Sequence, residues 1–265
     1  MAQILRARKS AILGLALFYM WCFYAKELLL MRVSFSAPGI DSKCTNDTLG
    51  IVVVSKGPSA RVDGLRRAAE FTSIALDIPL QPQWSTKEVD DFRGIGLNES
   101  QTDIGTGQAQ CWMGHLNVLR EMIQREWSTV LILEDDADWD IAIKYQLSLL
   151  APLIIEVARH RIPQSSDGSD SPYGDIWDLL WIGHCGDVIP KTGVLSVFDE
   201  TLPESSKYRE NNGQFIDFPP QVRMVHITDR PICTYAYAVT AKTAKLIYGK
   251  ARRGMRRIIT AEIRQ

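Results

Sequence analysis

The five cysteines, at 22, 44, 111, 185 and 233, include no Cys-x-x-Cys pair, which argues against a structural zinc site. Only four histidines occur, at 115, 160, 184 and 226, and they form no histidine-rich two-metal cluster of the kind a metal-dependent phosphohydrolase uses. His184, in Gly-His-Cys-Gly, is the one extra ligand to weigh, and a turn after a buried strand explains it equally well. Excess charge is missing too. Thirty basic residues against 31 acidic ones leave a net charge of −1, so there is no electrostatic footprint for nucleic acid. Repeats and low-complexity tracts are also absent. What remains is ordinary globular composition, 46% hydrophobic and 23% charged over 265 residues, enough for one sizeable core.

One long uncharged run interrupts that composition. Ala11 to Ala25 carries no charge, and extended past Lys26 and Glu27 to Met31 it makes a helix of about 31 Å at 1.5 Å per residue, enough for a bilayer core with the charged pair snorkelling at an interface. Arg6, Arg8 and Lys9 precede the run, whereas Lys26 and Glu27 cancel after it. The positive-inside rule then gives a cytosolic tail over 1–10, a signal anchor over 11–31 and a lumenal remainder, the arrangement of a single-pass type II protein of the Golgi or ER membrane. A cleaved signal peptide, with small residues near Ser34 to Ala37 as the cleavage region, is the alternative, and both readings imply entry into the secretory pathway. Sequons at Asn46 and Asn98 are compatible with that compartment. In an oxidising lumen the four cysteines outside the apolar run can form up to two disulfides or remain buried thiols, and their spacing does not choose between these.

The densest chemistry follows Thr129, where Val130 to Leu133 empties into Glu134, Asp135 and Asp136, with Asp138 and Asp140 close behind. A short aliphatic run suits a strand buried on both faces, and ligands of open α/β sheets gather at the carboxyl ends of such strands. Period-two geometry predicts Glu134 and Asp136 on one face, converging on a single object. Three adjacent carboxylates repel one another unless a hard cation or a set of donors neutralises them, and oxygen-only ligation suits magnesium or manganese shared with substrate phosphates. A solvated acidic turn is the plain alternative. An EF-hand loop fails, because Ile141 stands where its glycine belongs and Leu147 where its bidentate glutamate belongs.

Turn-forming residues over 32–48 read as a stem, and the folded domain is expected over 49–265. Ile51–Val54 is predicted as a strand, 65–76 as a helix ended by Pro79, 111–125 as a helix, Thr129–Leu133 as a strand and 141–157 as a helix. Residues 163–174 read as a polar loop, 178–183 as a buried strand, 190–222 as a long irregular stretch suited to a lid over an acceptor site, 235–239 as a last strand, and 241 onward as a basic helix with a solvated charged face. Strands alternating with helices predict an α/β layered domain with a mostly parallel sheet.

Taken in order, Gly107-Gln-Ala-Gln-Cys111-Trp-Met-Gly-His115-Leu, then Leu131-Ile-Leu-Glu-Asp-Asp136-Ala, then weaker echoes at 51–67, 178–183 and 234–240, the chain resembles the family 25 glycosyltransferases over about residues 49–248. That family includes lipopolysaccharide sugar transferases and procollagen galactosyltransferases, and its fungal members are the most similar. The resemblance implies a GT-A type, Rossmann-like fold, a UDP-sugar or similar nucleotide-sugar donor, a glycan or glycoprotein acceptor, and Mn²⁺ or Mg²⁺. It makes Glu134, Asp135 and Asp136 stand for the Asp-x-Asp motif, with Asp136 first and Glu134 beside it for the metal, and Glu134 or Asp135 reaching the metal through water or binding the ribose. His115 falls at the family's histidine position, where it can bond the acidic loop or the donor, or remain a satisfied core histidine. Arg61 and Asp63 fall where the family places residues near the nucleotide, and a surface role would also account for them. Departures are Gln108 for a glutamate, Gly114 for a serine, and an ending at Gln265 where other members continue to further acidic residues, so that the domain reads as C-terminally truncated. The general base an inverting transfer needs is therefore open, with Asp229, just before the last strand, the candidate. A membrane-tethered relative that binds nucleotide or glycan without turnover is the competing expectation.

Overall fold

The computed structural model describes residues 49–94, 104–161, 173–174, 176–202 and 220–262. The expected tail, anchor and stem, both sequons, Cys22, Cys44, most of the 163–174 loop and the middle of the 190–222 stretch lie outside them. Among the described residues no helix is long and apolar enough to cross a membrane.

The chain runs β1 (Leu49–Val54), α1 (Ala60–Thr72), α2 (Thr86–Arg93), α3 (Thr106–Gln124), β2 (Thr129–Glu134), α4 (Ile143–Arg161), β3 (Leu179–Gly183), β4 (Leu195–Phe198), β5 (Val222–Val225), β6 (Ala236–Thr240) and α5 (Ala241–Glu262). A four-stranded sheet has the order β1-β2-β6-β3, and β4 and β5 make a separate antiparallel pair. β1 and β2 are parallel and in register from Leu49 opposite Thr129 to Val54 opposite Glu134.

The sheet is mixed, not mostly parallel as the alternation of elements predicts. Ala241, just past the end of β6, donates its N–H to the carbonyl of Ser128, just before the start of β2, at 2.7 Å. Thr240 likewise donates to the carbonyl of Asp178, ahead of β3. An end beside a start on both sides means that β6 runs against its neighbours. Hydrophobic pattern alone cannot reveal this, because a central strand buried on both faces reads the same in either direction.

The described residues within 49–136, 178–180 and 237–262 form one compact unit, and those within 137–177 and 181–236 form another. In the first, Val130 to Leu133 are each at most 3% exposed. Burying each of those aliphatic side chains is worth about 1.5–3 kcal/mol, which holds β2 at the centre. Helix α1 starts earlier than its apolar spacing suggests: Ser59 caps it by accepting from the Val62 N–H, and Ser73 ends it in the left-handed conformation at φ 54. Asp77 then exchanges backbone hydrogen bonds with Ile51 and Val53, covering the outer edge of β1. Helix α2 lies outside the elements the apolar spacing predicts, although Ser85 and Glu88 form a capping box, a pattern readable in Ser-Thr-Lys-Glu.

In the second unit, β4 and β5 occupy the ends of a stretch that reads as irregular, and a disulfide joins Cys185 to Cys233. Asp199 is fully buried there. Its carboxylate accepts from the backbone N–H of Thr201 at 2.9 Å, from the Thr201 hydroxyl at 2.6 Å and from the Arg223 guanidinium. Burial pushes its pKa up, but the bonds from Thr201 and Arg223 outweigh this and hold it below the ordinary carboxylate value.

Candidate functional site

Parallel registry brings the carboxyl ends of β1 and β2 side by side, so the residues that follow each strand meet. The Ser55 hydroxyl donates to Asp135 Oδ2 at 2.8 Å and accepts from the Gly57 N–H at 3.2 Å, while Gly57 adopts φ +131, a conformation open chiefly to glycine. This turn delivers the chain into α1, whose Arg61 reaches Asp136 Oδ2 at 3.1 Å and Asp135 Oδ1 at 3.7 Å.

The strand ends at Glu134 and the chain turns at Asp135, so the alternation expected to align Glu134 with Asp136 stops there. Asp135 and Asp136 share Arg61. Glu134 Oε1 instead lies 3.3 Å from His115 Nε2, and His115 Nδ1 is 3.0 Å from the hydroxyl of Tyr237 on β6. A hydroxyl inside a strand buried along its whole length needs a partner, and the alternating polar atoms of imidazole provide it. Burial, followed by the charge of Glu134 and the nearby Cys111, keeps the Tyr237 phenol protonated far above neutral pH.

Cys111 lies one turn before His115 on α3, and its sulfur, a His115 ring nitrogen and a Glu134 oxygen all fall within 4.8 Å of one another. These three groups can hold a metal ion. Helix α3 reaches the strand ends closely because Gly114 faces Val54: a Cβ at that position would come within 2.8 Å of Val54 Cγ1. That contact accounts for the glycine at this position.

A cavity of about 610 Å³, within the range of small-molecule sites, opens over these strand ends. Glu134, Asp135 and Asp136 line it together with Lys56, Arg61 and the capped start of α1. Trp84 contributes an aromatic wall, itself packed against Val89, Ile104 and Ala109. Gln81, also in the wall, accepts from Asn117 Nδ2 at 3.0 Å, while its own buried Nε2 has no acceptor among the described residues. Burial first, then repulsion from Glu134, raises the pKa of Asp136; the Arg61 charge offsets only part of this, and Asp135 adds to it.

The structure thus brings together Arg61, His115, Glu134, Asp135 and Asp136. Asp63 is exposed in the first turn of α1 and is not part of the cavity lining. Asp229 belongs to the other compact unit, exposed and paired with Arg230 at 3.2 Å. His184, in that unit too, is driven toward the neutral form by burial. Ser55, Tyr237, Gln81 and Trp84 escape sequence reasoning, because single polar or aromatic residues in turns and strands carry no spacing signal. No protein-family model matches the chain, and no curated protein matches it.

Proposed function

We propose that the cavity binds a nucleoside diphosphate sugar with a divalent cation and that the protein transfers its hexose, galactose for example, to a glycan or glycoprotein acceptor. One observation carries the reading: the carboxylates Glu134, Asp135 and Asp136 and the cations Lys56 and Arg61 line a single cavity at adjoining strand ends, a mixture of charges suited to a metal-bridged diphosphate. The resemblance to family 25 glycosyltransferases supports the same reading and brings with it a GT-A type fold and residence in a secretory membrane.

The donor set fits a hard ion, since Asp135 and Asp136 line the cavity with carboxylate oxygens, the ligands such ions prefer. When bound, Mn²⁺ or Mg²⁺ would supply Lewis-acid stabilisation of the charge that develops on the leaving diphosphate. Asp136 is the direct ligand in this reading. Asp135, oriented by Ser55, supports it, and Lys56 and Arg61 bind diphosphate oxygens. The donor Nε2 of Gln81 awaits a carbonyl or ribose oxygen, and Trp84 offers a face for the base.

A second reading is binding without turnover. It is favoured by the cavity's own carboxylates: all three are engaged by His115, Ser55 or Arg61, and Asp229 is not in the lining, which leaves the general base unassigned. UDP release from a panel of UDP-sugars, with and without Mn²⁺, separates the two. Transfer or hydrolysis that needs Mn²⁺ and falls about 10²–10³-fold in Asp136→Ala supports the enzyme. Saturable UDP binding with no release across the panel supports the binding protein, and full activity in Asp136→Ala refutes the metal role.

A further inference from the structure

We propose that Cys111, His115 and Glu134 form a second metal site, distinct from the carboxylate pair and selective for a zinc-class ion, with an open coordination position toward the cavity. The inference stands apart from the nucleotide-sugar reading, since it concerns different donor atoms and a different kind of ion. A thiolate, an imidazole and one carboxylate are the donors that borderline-soft ions prefer and that Mn²⁺ and Mg²⁺ do not.

Geometry supports it at three levels. Cys111 and His115 are spaced i, i+4 on α3, so both side chains leave the same face of the helix, while Glu134 comes from the end of a separate strand. Tetrahedral zinc with Zn–N and Zn–O near 2.1 Å and Zn–S near 2.3 Å separates its ligand atoms by about 3.3–3.6 Å. The 3.3 Å between His115 Nε2 and Glu134 Oε1 already matches one such edge, and the Cys111 sulfur lies within 4.8 Å of a His115 ring nitrogen and a Glu134 oxygen.

The outer shell is also in place. With Nε2 turned to the ion, Nδ1–H donates to the Tyr237 oxygen 3.0 Å away, which fixes the tautomer and the ring orientation. Ion binding expels the thiol proton to solvent and creates the thiolate. Cys111 and Glu134 both line the cavity, so the fourth position faces it and can take water or a ligand oxygen.

The test loads the purified full chain, stripped of metal, with Co²⁺ and then Zn²⁺. One equivalent of Co²⁺ should give a thiolate-to-cobalt charge-transfer band in the near ultraviolet that Zn²⁺ abolishes and equimolar Mn²⁺ leaves intact. Cys111→Ser should lose the band while keeping the wild-type circular dichroism. Tyr237→Phe should weaken zinc binding about tenfold, as loss of an outer-shell partner does. Asp136→Asn should keep the band, so a failure of the sugar-transfer reading leaves this result unaffected. A wild-type chain without the band, or a band that survives in Cys111→Ser, overturns the proposal.

Discussion

Replacing Gly114 by alanine probes how closely α3 seats on β1, and its sign is the informative quantity. An added Cβ would lie 2.8 Å from Val54 Cγ1, where carbon atoms need about 3.5–4.0 Å, a shortfall of about 0.7–1.2 Å. Val54 is poorly placed to yield, because its backbone pairs with Glu134 in the parallel ladder and its branched side chain is stiff about χ1. Overpacking of this kind costs about 1–3 kcal/mol, while alanine in place of a helix-interior glycine returns about 0.8–1 kcal/mol. Gly114→Ala should therefore destabilise the wild-type chain by about 1 kcal/mol. In a Val54→Ala background, where the clash is gone, the same change should stabilise by about 1 kcal/mol. Urea unfolding followed by tryptophan fluorescence, with the slope unchanged among variants, reads both values. Stabilisation in both backgrounds would refute the close seating, and with it the account of how Cys111 and His115 reach the strand ends.

Four further outcomes follow from the second unit and the acidic turn. Arg223→Ala strands the buried Asp199 carboxylate and should cost about 3–5 kcal/mol in chemical denaturation; a loss below about 1 kcal/mol would show the pair to be dispensable. Because the folded-state pKa of Asp199 is depressed, its contribution is complete above the unfolded value of about 3.9 and fades as pH falls through the lower folded value, so acid unfolding of the wild type should steepen below about pH 4 and Asp199→Asn should flatten that slope. Removing the Cys185–Cys233 bridge, 48 residues apart, as the double alanine variant should cost up to about 4 kcal/mol by loop-closure entropy, and an unchanged melting curve would contradict it. Ser55→Ala should loosen Asp135 and weaken Mn²⁺-dependent UDP binding more than metal-free binding; equal effects on both would count against its orienting role.

Much of the fold that positions the site is legible in the residues. The aliphatic run before Glu134 identifies β2 because such a run can only be buried on both sides, and Ile51–Val54 announces its parallel partner in the same way. Strand direction is not legible, since Ala236–Thr240 is buried throughout and carries no face preference that would reveal its antiparallel course. Nor are β4 and β5: each is only four residues long, β4 ends on an exposed phenylalanine, and β5 shows no alternation of burial. Within the site, the acidic cluster is visible as composition, but its division is not. The turn at Asp135 sends Asp135 and Asp136 to Arg61 and leaves Glu134 with His115, a choice made by the register of β1 against β2 and by Gly114 admitting α3. Tyr237 lies 122 residues from His115, beyond the reach of any local pattern.

The central claim is that a cation completes the acidic strand end and binds a diphosphate there. Calorimetric titration of UDP into the purified chain, with and without Mn²⁺ and in the Asp135→Asn, Asp136→Asn double variant, tests it most directly. The account predicts UDP affinity at least tenfold higher with Mn²⁺ in the wild type, about 1.4 kcal/mol, and no Mn²⁺ effect in the variant. UDP affinity indifferent to Mn²⁺, or a Mn²⁺ effect that persists without both carboxylates, would contradict it.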